Sequence, residues 1–194
     1  MSAVLVGKKA PVWQSRAVWG EKIIEAFSLD PLLGKYVVLL FYPLDFTFVC
    51  PTELHAFQEQ QEAFAQRNAQ VVACSVDSCY SHKAWLDTPR AKGGIEGVSY
   101  PLVADLKKTI AMDYHVLEEK EGVALRGLFI IDPEGFIRHQ LVNDLPIGRS
   151  VDEVLRTLDA LIHHKEHGEV CPAGWRPGHK AMKPNTDGLK NYFQ

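Results

Sequence analysis

The chain has 194 residues, 46% of them hydrophobic and 23% charged, with a formal net charge of −3. That is ordinary globular composition, enough to bury a full core in one domain or one domain with a tail. The weak net charge and the scattered Lys and Arg argue against nucleic acid or an anionic membrane as a partner. The longest apolar run, 37–42, is far too short to span a bilayer. The start, Met1-Ser-Ala-Val-Leu-Val-Gly-Lys-Lys9, puts no basic region ahead of its short apolar stretch, so the expectation is no secretory signal and a cytoplasmic location. Four cysteines stand at 50, 74, 79 and 171. Without a secretion signal, and in a chain of this size, they read as cysteine chemistry rather than structural disulfides.

In chain order, residues 36–42 read as a fully buried strand. Pro51 and the Leu54, Phe57, Phe64 spacing predict an amphipathic helix over roughly 51–67, with Pro51 in its first position. Residues 70–76 are a second buried strand, followed by a helix over about 78–88 that Pro89 ends. A glycine-rich loop occupies 92–97, and another helix runs from about Asp105 to Tyr114. Residues 127–131 and 136–142 are strands joined by a tight turn at Asp132-Pro-Glu-Gly135. Ser150 and Glu153 form a capping box ahead of a helical stripe of Val151, Val154, Leu155, Leu158, Leu161 and Ile162. After Gly168 the periodicity stops. The order suits an α/β fold, one mixed sheet flanked by helices over 1–168, with a C-terminal arm over 169–194.

Cys50 falls between a buried strand and a helix. Free backbone N–H groups and the positive end of the helix dipole favour a thiolate there, and the thiolate is the reactive form. Thr47 lies three residues earlier; if that turn is helical, its hydroxyl can face the sulfur. Pro43 and the aromatics Phe46 and Phe48 can limit water at the site.

The run Phe41-Tyr-Pro-Leu-Asp-Phe-Thr-Phe-Val-Cys-Pro-Thr-Glu53 resembles the active-site signature of the peroxiredoxins, whose core is Pro-x-x-x-Thr-x-x-Cys. Val170-Cys-Pro172, followed by Trp175, resembles the resolving-cysteine segment of the typical two-cysteine subgroup. Ser75-Val-Asp-Ser78, Ser81-His-x-x-Trp85, Arg126 to Asp132 and Gly148 to Glu153 also match. The resemblance implies a thioredoxin-like fold and a hydroperoxide substrate, with no cofactor or metal required. It implies that Cys50 is the peroxidatic cysteine and Cys171, of a partner subunit, the resolving one. Arg126 would hold the thiolate and polarise the peroxide, Thr47 would orient the peroxide, Pro43 would shield the sulfur, and Glu53 would position the arginine. Arg149 would extend the polar network. Thioredoxin or a related dithiol would reduce the resulting disulfide, and homodimers would assemble into a ring, a decamer by expectation.

Cys74, inside the second strand, reads as core packing, and Cys79 as a bystander at a helix start despite His82 and Lys83 one turn on. His163, His164 and His167 with Glu166 look like a metal cluster, His163 and His167 at i,i+4 spacing, but they also end a helix, where such side chains suit the dipole. By the same resemblance, members easily overoxidised by peroxide carry a Gly-Gly-x-Gly loop with a C-terminal Tyr-Phe pair; this chain has Tyr192-Phe193 but Glu96 at the third glycine position. Two other readings are a general disulfide oxidoreductase, weakened by the lack of Cys-x-x-Cys at Cys50, and a holdase chaperone ring.

Overall fold

A computed structural model describes residues 3–194; Met1 and Ser2, which open the N-terminal stretch read above, lie outside the described residues. The chain divides into two compact units, Met1–Arg149 and Ser150–Gln194.

The first unit opens with a hairpin of β1 (Ser15–Trp19) and β2 (Lys22–Phe27). The reading above passed over it, because its faces alternate weakly and Arg16, Lys22 and Glu25 interrupt the apolar pattern. Next come β3 (Tyr36–Phe41), α1 (Val49–Glu59), α2 (Gln61–Gln66), β4 (Ala69–Ser75) and α3 (Cys79–Leu86). β5 (Leu102–Ala104), α4 (Thr109–Asp113), a two-stranded ribbon of β6 (Leu117–Glu118) and β7 (Val123–Ala124), then β8 (Arg126–Ile131) and β9 (Ile137–Asn143) complete the unit. The seven-stranded sheet has the order β2-β1-β5-β4-β3-β8-β9. β3, β4 and β5 run parallel and β8 runs antiparallel to β3, so the sheet is mixed. All six residues of β3 are buried, which its unbroken apolar run requires of a central strand covered on both faces. Phe41, Tyr114 and Phe129 pack beneath it with ring centroids 4.8–5.9 Å apart.

Two expected helices change. The one expected over 51–67 begins at Val49 and breaks at Gln60, whose N–H turns back to Phe57 O. Pro51 therefore occupies the third helical position, where its missing N–H is still among the unpaired ones. The helix expected over 105–114 shrinks to α4. Lys108 takes a left-handed φ of 60°, and the Asp105 carboxylate holds the N–H groups of Ile110 and Ala111, so Asp105 caps the turn from outside.

In the second unit Ser150 Oγ accepts from Glu153 N at the start of α5 (Val151–His167). Gly168, at φ 67°, ends it. The sequence reading divides the chain after residue 168, whereas the compact units part after Arg149, because the arm folds back on α5. Arg156 donates to Trp175 O, His163 Nε2 meets Glu169 Oε2 at 2.9 Å, and Trp175 packs 4.7 Å from the His163 ring. The arm also contains a helix the reading missed, α6 (Thr186–Phe193), started by Asn185 accepting from Gly188 N.

Candidate active site

The site is built where β3 ends. Because β8 runs antiparallel to β3, the start of β8 lies beside the end of β3, and Arg126 arrives next to the segment that follows β3. Cys50 is the second residue of α1 and is fully buried. Arg126 Nη1 lies 3.4 Å from Cys50 Sγ and 2.7 Å from Glu53 Oε2, and Arg126 Nε donates to Leu145 O at 2.6 Å. Glu53, one turn along α1 from Cys50, is shared with a second arginine. Arg149 gives its backbone N–H and Nε to Glu53 Oε1 at 2.8 and 2.7 Å, and Nη2 to Oε2 at 2.9 Å. Its Nη1 closes the β3–β8 ladder by donating to Phe41 O and Gly127 O at 2.8 and 2.6 Å.

The three charged side chains are almost wholly shielded from solvent. Two arginines and one glutamate leave one surplus positive charge in a low-dielectric pocket, and a Cys50 thiolate makes the set neutral. The same guanidinium is placed to donate to negative charge that develops beside the sulfur. Preorganised donors of that kind lower the barriers to reactions that develop such charge.

The loop before Cys50 is held by a network that the sequence reading did not assemble. The Asp45 carboxylate accepts from Tyr42 OH at 2.8 Å and meets His82 Nδ1 at 2.9 Å, while His82 Nε2 donates to Val103 O. Asp45 N–H donates to Asp77 Oδ2, which also accepts from Ser75 Oγ. Burial, then the charge of Asp45, raises the Asp77 carboxyl above the usual carboxylate range. The network pins a strained loop: Phe46 has φ 53°, a rare conformation for a bulky side chain, and its ring packs 5.8 Å from Trp85. Asp45 and His82 both lie inside quoted motif segments, but nothing in the sequence pairs them across 37 positions.

Pro43 is buried beside the end of β3. Thr47 departs from expectation. It precedes α1 rather than forming part of a helical turn, and its hydroxyl donates to Leu44 O at 2.9 Å. With its proton committed there, the oxygen presents lone pairs, suited to accept from a peroxide O–H. Phe48 is corrected: at 93% exposure it does not screen the sulfur of its own chain.

All four cysteines are free thiols. Cys74 is buried in β4, and burial pushes its thiol far up. Cys79 packs against Val18 and Ala104. Cys171 lies in the second unit, half-buried, with Sγ 3.6 Å from Ala160 O. Burial, then Glu169, raises its thiol, and Arg156 only partly opposes this. His163 and His167 stack on each other, and among the described residues no His, Cys, Asp and Glu group has metal-binding geometry.

A buried cysteine at a helix start, an arginine on its sulfur and a thioredoxin-like mixed sheet define a thiol-dependent peroxidase. The AhpC/TSA family model matches residues 6–140, and the model for the C-terminal domain of 1-Cys peroxiredoxin matches residues 160–194. A chloroplastic 2-Cys peroxiredoxin BAS1 of Hordeum vulgare is 53% identical over 97% of this chain and 90% of its own length. A thioredoxin peroxidase of Echinococcus granulosus is 52% identical over 98% of each chain. The crystal structure of reduced Plasmodium vivax 2-Cys peroxiredoxin superposes with a TM-score of 0.95 at 47% identity, over 98% of each chain. The chain belongs to the AhpC/TSA family and is a peroxiredoxin, an oxidoreductase that reduces peroxides.

Proposed function

We propose that the protein reduces hydrogen peroxide and organic hydroperoxides by a two-cysteine cycle run between subunits. The observation that carries this reading is Cys50 Sγ held 3.4 Å from Arg126 in the neutralising Arg126–Glu53–Arg149 cluster. The Cys50 thiolate attacks one peroxide oxygen, the O–O bond breaks, and the other oxygen leaves as water or alcohol. Arg126 and the α1 N–H groups hold the developing charge, Thr47 accepts from the peroxide and Pro43 shields the sulfur. Cys50 becomes a sulfenic acid, which condenses with the thiol of Cys171 from a partner subunit to give a disulfide and water. Thioredoxin or a similar dithiol then restores both thiols. Relatives named 2-Cys peroxiredoxin and thioredoxin peroxidase support both the second cysteine and the donor. We place the chain in a ring of dimers, a decamer. The exposed Phe46 and Phe48 in the loop before Cys50 support an interface there, and a Plasmodium yoelii relative with a modified N-terminus is described as an artifactual octamer. The role is antioxidant defence and redox homeostasis.

The test is a non-reducing gel after one equivalent of peroxide. A covalent dimer is expected, lost in Cys50→Ser and in Cys171→Ser. A fast intrachain disulfide, or a dimer bridged by Cys74 or Cys79, would overturn the two-subunit cycle.

A further inference from the structure

Cys50 exposes no surface. A disulfide needs its two Cα atoms within about 7 Å, so the start of α1 has to open before a second thiol can reach the sulfur. How far the opening runs depends on what holds the rest of the helix, and two different bodies hold its two parts. Residues 49–53 are tied through Cys50 and Glu53 to Arg126 and Arg149, and by the Thr52 hydroxyl on Val49 O. From Leu54 onward, Leu54 and Phe57 are buried in the core, and the hydrogen bonds to other segments go to 90–100. Tyr100 OH donates to Leu54 O at 2.7 Å, and His55 Nε2 donates to Gly94 O at 3.1 Å. Gln58 Oε1 accepts from Ser99 N–H at 2.8 Å, and Arg90 pairs with Glu59 at 3.1 Å.

Segment 90–100 is a firm anchor. Trp85 Nε1 donates to Gly93 O, Ile95 N–H to Trp85 O, and Glu96 N–H to Thr88 O. A side chain at Gly94 would place its Cβ 1.8 Å from Thr88 O. The positive φ values of the loop fall at Gly93 and Gly97, so Glu96 sits where the backbone does not demand glycine.

Among the four ties, the Arg90–Glu59 pair and the Gln58 contact are exposed and contribute little. Tyr100 and His55 are the buried ones. His55 is 7% exposed and lines a cleft of about 270 Å³, bounded by Pro51 and Thr52 on the helix and by Gly93 and Gly94 on the loop. A buried imidazole is costly unless it is hydrogen-bonded, and an apolar side chain would pack in the same place. The bond to Gly94 is what a histidine adds.

We infer that His55 is a positioning residue that stops the opening of α1 at Leu54, and so sets how fast oxidised Cys50 reaches the resolving thiol. The inference rests on the two-cysteine cycle proposed above. Once 49–53 unwinds, only 54–59 remains, far too short to stay helical by itself; burial of Leu54 and Phe57 and the ties to segment 90–100 together keep it wound. Losing the His55 bond loosens that remnant, gives the open state more conformational freedom and makes opening easier. Two reactions compete for the sulfenic acid. Condensation with the resolving thiol gives a disulfide and water, while a second peroxide oxidises Cys50 to a sulfinic acid and leaves as water or alcohol. Easier opening favours the first.

The test compares full-length wild type, His55→Leu and His55→Gln by quench-flow mass spectrometry with hydrogen peroxide, together with hydrogen exchange over residues 54–59. His55→Leu is expected to speed disulfide formation about five-fold, the equivalent of one net hydrogen bond of about 1 kcal/mol. The peroxide concentration that half-converts Cys50 to sulfinic acid should rise by the same factor, and exchange over 54–59 should quicken. The rate of Cys50 oxidation should not change. His55→Gln, which keeps an N–H at the Nε2 position, should behave as wild type. Unchanged or slower disulfide formation in His55→Leu would overturn the inference, as would His55→Gln matching His55→Leu. If wild type itself forms no Cys50–Cys171 disulfide, the cycle fails and the inference with it, an outcome visible without any variant.

Discussion

Arg126 and Arg149 share one carboxylate, yet their replacement should have opposite signatures. Arg126→Met removes the donor on Cys50 Sγ but leaves Glu53 with three N–H groups from Arg149. Loss of one preorganised donor to developing charge lowers rates roughly 10²–10³-fold, so the second-order rate of Cys50 oxidation should fall by that factor. Stability should drop only about 1–3 kcal/mol, since the buried carboxylate keeps a charged partner. Arg149→Met instead strips Glu53 of its bidentate partner and orphans Phe41 O and Gly127 O at the end of the β3–β8 ladder. Glu53 keeps Arg126 at 2.7 Å, so the larger loss comes from the two orphaned carbonyls, about 1–3 kcal/mol each, and at roughly 2–4 °C per kcal/mol for a chain of this size the melting temperature should fall by about 10–15 °C. Stopped-flow single turnovers of the reduced protein and thermal melts separate the two. An Arg126→Met oxidation rate within three-fold of wild type would refute the catalytic assignment. Equal melting losses in the two variants would refute the division of labour within the cluster.

The other expectations follow from the neighbouring groups. Asp77 is raised in the folded state, so its ionised form costs stability at neutral pH, and that cost is relieved as pH falls through the folded value toward 3.8. The stability of Asp77→Asn relative to wild type should therefore decline from pH 7 to pH 4 in paired melts; a flat difference would show that Asp77 carries no such load. Cys171 is raised by burial and then by Glu169, so Glu169→Gln in a Cys50→Ser background should move the pH midpoint of Cys171 alkylation downward, read by mass spectrometry. An upward move would reverse the assigned cause. If the proposed ring forms, Phe48→Glu places charge on a 93% exposed aromatic, and light scattering on the reduced protein should show a smaller assembly than wild type; an unchanged assembly would show that Phe48 makes no subunit contact.

The sequence by itself determined the central strands, the cysteine at a helix start and the long α5, because those signals are local. β3 is an unbroken apolar run, Pro51 marks the first turn of a helix, and Ser150 with the Val151–Ile162 stripe marks another. The Arg126 and Glu53 roles came only through family resemblance, since neither side chain announces its burial in one dimension. What tertiary structure alone decided is which distant residues share a charge or a carbonyl. The antiparallel β3–β8 pairing brings Arg126 to Cys50 across 76 positions, and Glu53 collects Arg149 from 96 positions away. Asp45 finds His82, and His55 finds Gly94, by the same route. The short edge hairpin, the truncation of α4 and the helix within the arm were missed for the opposite reason. Their bounds are set by caps, by left-handed residues such as Lys108 and by partners across the sheet, which leave only a weak pattern in the residues themselves.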